Sequence, residues 1–253
     1  MESTLVRNSL ALNMGRNASI RRAVNQIEDI VKKHSVGGYA QPQVLPVPDE
    51  LGPEIPRMIF SSRGGHSQIL VSQVGLNFTA NYSPDWATDP KRCLDYLLSK
   101  VDMLFEIAAA GWEDSPLPAF TGVTTACWIK TNSVAESIRL IAPKFCEANS
   151  LVDDANELSY RWSLNVDGKF YDNIAVSTGT QLKAGPSTIV DSIPRFNEKT
   201  IEGYGLEIVG DYNDRLAYNN QITFASDATN AKQMIKTSFE RTLAIVESFA
   251  NRE

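Results

Sequence analysis

Histidine and cysteine are scarce in this chain: its 253 residues hold two histidines and three cysteines. Histidine is the commonest general base near neutral pH, so only His34 and His66 could serve a reaction in that way. His34 closes a lysine-bearing helical segment, where a cation is favoured for structural reasons alone. No HExxH, CxxC or HxH spacing occurs, which removes the common zinc arrangements. No GxSxG elbow occurs either, and the usual serine-hydrolase layout goes with it. Cys93, Cys127 and Cys146 are odd in number and widely spaced, a pattern that reads as free thiols in a reducing compartment. No apolar run reaches the roughly 20 residues needed to cross a bilayer, and the first fifteen residues lack the apolar core of a secretory signal. A cytoplasmic protein away from membranes is expected. Positive charge is also short, with 24 Lys and Arg against 30 Asp and Glu. Nucleic-acid affinity draws largely on Lys and Arg, so a nucleic-acid partner is not expected.

What is present is alternation. From Leu70 to Tyr82 apolar residues hold the even positions, and the same period of two returns in Leu158, Tyr160, Trp162, Leu164 and Val166. Strand side chains point alternately to opposite faces, so these are half-buried strands with one wet face, the hallmark of an antiparallel sheet. Strands are expected over 57–61, 68–82, 120–131, 158–166, 169–178, 201–211 and 221–224. Arg63-Gly64-Gly65-His66 and Asp167-Gly168 read as hairpin turns. Ile20, Ala23, Val24, Ile27, Ile30 and Val31 recur at helical spacing, and Gly37 and Gly38 stop that helix. Asp89 and Pro90 open a second helix, expected to run through Leu94 and Leu104 to Ala108. Further helices are expected from Ser133 and over 229–250. The fold class that follows is α+β: antiparallel sheet with long amphipathic helices packed on one face, pseudo-duplicated or built of two closely packed halves. Residues 1–38 form the N-terminal amphipathic helix unit, 39–56 a proline-rich connector, and 57–253 the body, divisible into 57–148 and 149–253.

Chemistry is thin. The polar loop Ser61–Ser67 offers Arg63 and His66 to a small anion, and Arg161 projects from the wet face of its strand. These three are the candidate ligand-binding residues. Trp86, in a turn before a helix, and the helix-flanking Arg21 and Arg22 are the candidate partner contacts. Cys127 reads as core, and Cys146 would be a nucleophile only if a distant histidine reached it. The carboxylate pairs Glu50/Glu54, Asp85/Asp89, Asp153/Asp154 and Asp211/Asp214 read as solvated turns. No catalytic residue, metal ligand or cofactor is expected.

The block Pro56-Arg57-Met58-Ile59-Phe60-Ser61-Ser62, followed by a hairpin, Leu70-Val71-Ser72, the strand to Tyr82 and then Trp86, resembles an uncharacterised, sporadically distributed bacterial family with a PR-x-x-F-S-S block before a long helix. Phe239-Glu240 in the last helix is similar as well. More distantly, long antiparallel strands closed by a helix resemble the layout of SecB-like chaperones. The resemblance implies a non-enzymatic protein-binding, adaptor or chaperone-like role in a bacterial defence or toxin–antitoxin setting, with a protein partner or client and homo-oligomers. Two alternatives stand beside it: an enzyme or sensor for a small phosphorylated or nucleotide ligand, and a structural subunit of a larger assembly.

Overall fold

The computed structural model describes residues 1–35, 38–145, 155–182, 189–190, 193–194 and 201–250. At its centre lies a strand absent from the sequence expectations, β1 (Ser3–Asn13). Leu5, Asn8, Leu10 and Leu12 share its buried face. A register shift between Leu5 and Arg7 moves Leu5 onto that face, and this bulge, with a polar Asn8 among the apolar positions, hides the period of two.

A 3-10 turn (Ile20–Ala23) and α1 (Val24–His34) follow, with Ile20, Ala23, Ile27 and Val31 buried. Next come β2 (Gln43–Val44), β3 (Met58–Ser61), β4 (Ser67–Val71) and β5 (Gly75–Asn81), then α2 (Pro84–Ala87), α3 (Pro90–Leu98) and α4 (Val101–Gly111). The chain continues as β6 (Phe120–Thr131), α5 (Val134–Phe145), β7 (Ser159–Val166) and β8 (Phe170–Leu182). A small pair, β9 (Ile189–Val190) and β10 (Ile193–Pro194), precedes β11 (Ile201–Asn213), α6 (Arg215–Asn220) and α7 (Ala228–Ala250).

These strands, β9 and β10 aside, make a nine-stranded antiparallel sheet in the order β2-β3-β4-β5-β1-β6-β11-β8-β7. The order mirrors itself about the β1–β6 seam. Each half runs strand, helix, three-strand meander and covering helices: β1, α1, β3, β4, β5 and α2 to α4, then β6, α5, β7, β8, β11, α6 and α7. In each half the first strand pairs with the last strand of its own meander and with the other half's first strand. The α+β architecture is therefore a topological repeat whose two halves meet in sequence between α4 and β6.

One sheet face carries the core. Met58, Phe60, Ile69, Phe78, Leu10, Val123, Ile208 and Val176 point from successive strands toward the helices and are fully buried. Burying such a side chain contributes about 2 kcal/mol each. The opposite face is wet and ordered in rows. Ser163, Asn173, Asp211, Thr124, Ser9, Thr79, Gln68 and Ser61 are register partners strand by strand, and none of them is buried. The Trp128 ring lies on this face: a Cβ at Gly179 would stand 2.8 Å from it, and one at Gly205 would collide with it.

Three local expectations are corrected. Residues 68–82 are two strands, not one, because the Ser72 hydroxyl accepts from Val74 N–H (3.2 Å) and Gly75 takes the chain back. The buried set then switches parity, to Ile69 and Val71 before the turn and Leu76, Phe78 and Ala80 after it, and leaves Leu70 half-exposed. The 90–108 helix is broken at Ser99-Lys100 into α3 and α4. Gln221 to Phe224 form no strand, and Ile222 is fully exposed.

One buried side chain gathers the end of the proline-rich segment. Arg57, 0% exposed, donates to the carbonyls of Ile55 (2.7 Å), Leu51 (3.0 Å) and Pro48 (3.2 Å), with Asp49 3.8 Å from its Nε. A buried guanidinium is costly unless its donors are matched; backbone carbonyls of the proline-rich chain match its two terminal nitrogens, while Nε makes no hydrogen bond and has only the Asp49 charge nearby. The arginine of the PR-x-x-F-S-S block is thus a structural clamp. Arg57→Met keeps the aliphatic stem and removes every donor. We expect a loss of about 3 kcal/mol in urea unfolding and new protease cleavage within 45–56; an unchanged midpoint would show the segment is held by other contacts.

Candidate functional site

A cavity walled mainly by aromatic side chains is built around the β3–β4 turn. Gly65, at φ 71°, reverses the chain, and Ser62 N–H donates to Ser67 C=O at 2.8 Å to close it. His66 is left at the tip, exposed. Asn81 N–H at the end of β5 donates to His66 C=O (2.8 Å), so the tip and the β5 terminus stand side by side. Beyond β5, α2 presents Trp86. The Asp89 carboxylate then accepts from Arg92 N–H (3.1 Å) and starts α3, which presents Tyr96. Gly64, His66, Asn81, Tyr82, Trp86 and Tyr96 enclose a cavity of about 290 Å³.

Its walls are aromatic and internally braced. Trp86 meets Tyr96 edge to face (centroids 5.6 Å apart, 80°) and lies parallel to Tyr82 (6.3 Å, 9°), geometries that ring quadrupoles favour. The Tyr82 hydroxyl donates to Cys93 C=O (3.2 Å). A hydroxyl chain runs under the floor: Tyr96 Oη is 3.5 Å from His66 Nε2 and 2.9 Å from Ser67 Oγ, which is 3.4 Å from Tyr39 Oη. Burial raises the Tyr39 and Tyr82 hydroxyls well above the usual phenol range, so both remain protonated donors. Two cations back the rings: the Arg92 guanidinium lies 3.8 Å from the Trp86 centroid and Lys100 Nζ 4.8 Å from that of Tyr96.

The structure thus joins two residues the sequence treated separately, His66 and Trp86. Arg63, three residues from His66, lies on the other side of the hairpin, lining a second cavity of about 250 Å³ with Tyr39, Phe60, Glu28 and Lys32. Arg161 is remote from both: β7 stands six strand spacings from β4, roughly 29 Å at about 4.8 Å each. The trio proposed for a phosphorylated ligand is therefore not assembled. Arg21 is engaged at home, paired with Asp49 and donating to the carbonyls of Leu45 (3.0 Å) and Val47, so its guanidinium fastens the proline-rich segment. Arg22 is exposed and lines a cavity of about 400 Å³ with Trp112 and Asp114.

The remaining candidates separate in the same way. His34 Nε2 sits 3.0 Å from Glu106. Asp211 is on the wet sheet face, held by Asn173 (2.9 Å). Asp214 is buried on the helix side, accepting from Thr121 N–H (2.6 Å), Ser226 Oγ (2.6 Å) and Asn230 Nδ2 (3.0 Å). Burial raises its carboxyl against those bonds, and its role is to staple α6 and α7 to β6. The pair does not converge. Gly37, Cys146, Asp153 and Asp154 lie outside the described residues. Among the described residues, no group of three or more His, Cys, Asp or Glu could hold a metal, and no helix is long and apolar enough to cross a membrane.

The second half places a cavity of about 410 Å³ at the same point of its repeat, between the β7–β8 turn, α6 and the start of α7. Its lining is mixed, with Asp167, Lys169, Phe170, Asp227 and Asn230, so the aromatic enclosure belongs to the first half alone. Tyr82 was read only as a strand residue, and Tyr96 was not singled out. The available signal was Tyr82, Trp86 and Tyr96 within fifteen residues straddling a strand end and a helix start. A scan against protein-family models and a search of curated proteins each find no match to this chain.

Burial pushes the Cys93 and Cys127 thiols up to about 12, so at about pH 8 almost none of either is the reactive thiolate. Peptide mapping after brief alkylation of the native protein should find both unmodified, and both modified after denaturation. Native labelling at either would contradict this burial.

Proposed function

We propose that this chain is a non-enzymatic binding protein of the cytoplasm, an adaptor that seats one anchoring group of a protein partner in the His66–Tyr82–Trp86–Tyr96 pocket. The observation that carries the reading is the pocket itself: a small aromatic enclosure, braced by hydrogen bonds, at the rim of a sheet. Aromatic side chains in such pockets dominate binding energies. The buried thiols of Cys93 and Cys127 support binding over reaction.

Within the binding class, the wet face favours an adaptor over a holder of unfolded clients. A client-holding surface needs contiguous apolar area, whereas this sheet face presents a polar row and the large exposed apolar residues, Val44, Leu51, Leu117, Leu164 and Ile222 among them, belong to separate elements. The defence or toxin–antitoxin setting implied by the PR-x-x-F-S-S resemblance fits an adaptor with one dedicated partner, and self-association is compatible with it.

Native mass spectrometry of the protein purified gently from its own host tests the reading. We expect a polypeptide at fixed stoichiometry that is lost from Trp86→Ala and retained in Arg22→Ala, with unchanged circular dichroism. A partner indifferent to Trp86 would move the interface elsewhere, and a bound small molecule in its place would overturn the binding-protein reading.

A further inference from the structure

The chemistry of the anchoring group can be narrowed, taking the aromatic pocket as the partner's seat. Aromatic faces attract cations, and an aromatic enclosure open to water would ordinarily invite an amine. In this pocket that attraction is already used by the protein's own side chains, Arg92 on Trp86 and Lys100 on Tyr96. Neither cation forms an ion pair with a carboxylate among the described residues. Lys100 is only partly exposed, and burial lowers its pKa, the mark of an ammonium short of compensating charge. Of the acids on this stretch, Asp89 is committed to its helix cap, and Asp85 and Asp95 are exposed to solvent. The pocket therefore combines apolar ring walls with two uncompensated positive charges behind them. A second cation would meet like charge. A ring with a carboxylate beside it would meet no such obstacle.

We propose that the pocket recognises an acidic, aromatic-bearing segment of the partner protein: a Phe or Tyr side chain enters among Tyr82, Trp86 and Tyr96, and neighbouring Asp or Glu carboxylates meet Arg92 and Lys100. The cavity of about 290 Å³ takes one ring-sized side chain, and the local charge supplies selectivity that the chain's overall negative charge opposes elsewhere on the surface.

The test uses the full-length protein and three probes: the capped tripeptides Glu-Tyr-Glu and Lys-Tyr-Lys, and adenosine monophosphate. Binding is followed at the Trp86 indole N–H in amide-detected NMR, with Trp86→Phe fixing the assignment. The acidic peptide should bind roughly fivefold to tenfold more tightly than the basic one at low salt, as two exposed charge contacts allow. That preference should collapse at about 1 M salt, where the Debye length is about 3 Å. Arg92→Gln, at an exposed position, should remove about half of it with the rest of the spectrum unchanged. Equal or tighter binding of the basic peptide, tighter binding of the nucleotide, or no shift at millimolar acidic peptide would each overturn the inference. Loss of the native partner in Trp86→Ala without any charge preference would overturn this inference alone. Retention of the partner in that variant would overturn the anchor reading beneath it.

Discussion

The pairing of β1 with β6 is the constraint on which the molecule depends. Among the described residues it is the only link in the sheet between the two halves of the repeat, and its helix-side face is buried: Leu5, Leu10 and Leu12 face Cys127, Val123 and Thr121 across it. At its midpoint Asn8 is paired with Thr125 and donates to the Thr125 hydroxyl (3.1 Å), which lies 3.2 Å from Ser238 Oγ on α7. A slip of one residue would send every apolar side chain of β1 to the wet face, and a slip of two would keep the face but part Asn8 from Thr125 and set it against Val123 or Cys127, at a cost of about 1–3 kcal/mol for the unmet group alone. The polar contact thus sets register where leucines by themselves would tolerate error, and it draws α7 onto the seam.

The pocket inherits its geometry from that frame. Tyr82 N–H donates to Val6 C=O in β1 (3.0 Å), so the point at which β5 gives way to α2 is tied to the central strand. The β4–β5 register then brings His66 to Asn81. Trp86 and Tyr96 close the enclosure because proline and an aspartate cap start their helices at fixed places. A pocket made from strand ends and helix starts in this way is preorganised, and a ligand need not pay for its assembly.

Much of this was legible in the residues. Asp167-Gly168 announced its hairpin because few other pairs accept positive φ twice in succession, and the angles are 53° and 64°. The long alternation of β6 was read to its last residue. What failed had local causes. The turn at Ser72 closes through a serine hydroxyl instead of an Asn-Gly pair, so two strands of opposite parity fused into one apparent strand. The bulge near Val6 erased the period of β1. His66 and Trp86 were each visible as candidates, yet their meeting is a property of strand register, which composition and spacing do not encode. Arg57 was quoted within a motif and given no role, because nothing in its neighbours reveals that four backbone carbonyls would surround it.

The two halves are the topology of a symmetric dimer written into one polypeptide. In a true dimer a substitution acts twice and every contact must be self-complementary. A covalent tether removes that demand while keeping the halves at high effective concentration. One copy is then free to specialise: four rings line the cavity of the first half, and a mixture of two aspartates, a lysine and two phenylalanines lines its counterpart. Asymmetry of function here costs the fold nothing, since the seam that carries the fold lies on the axis between them.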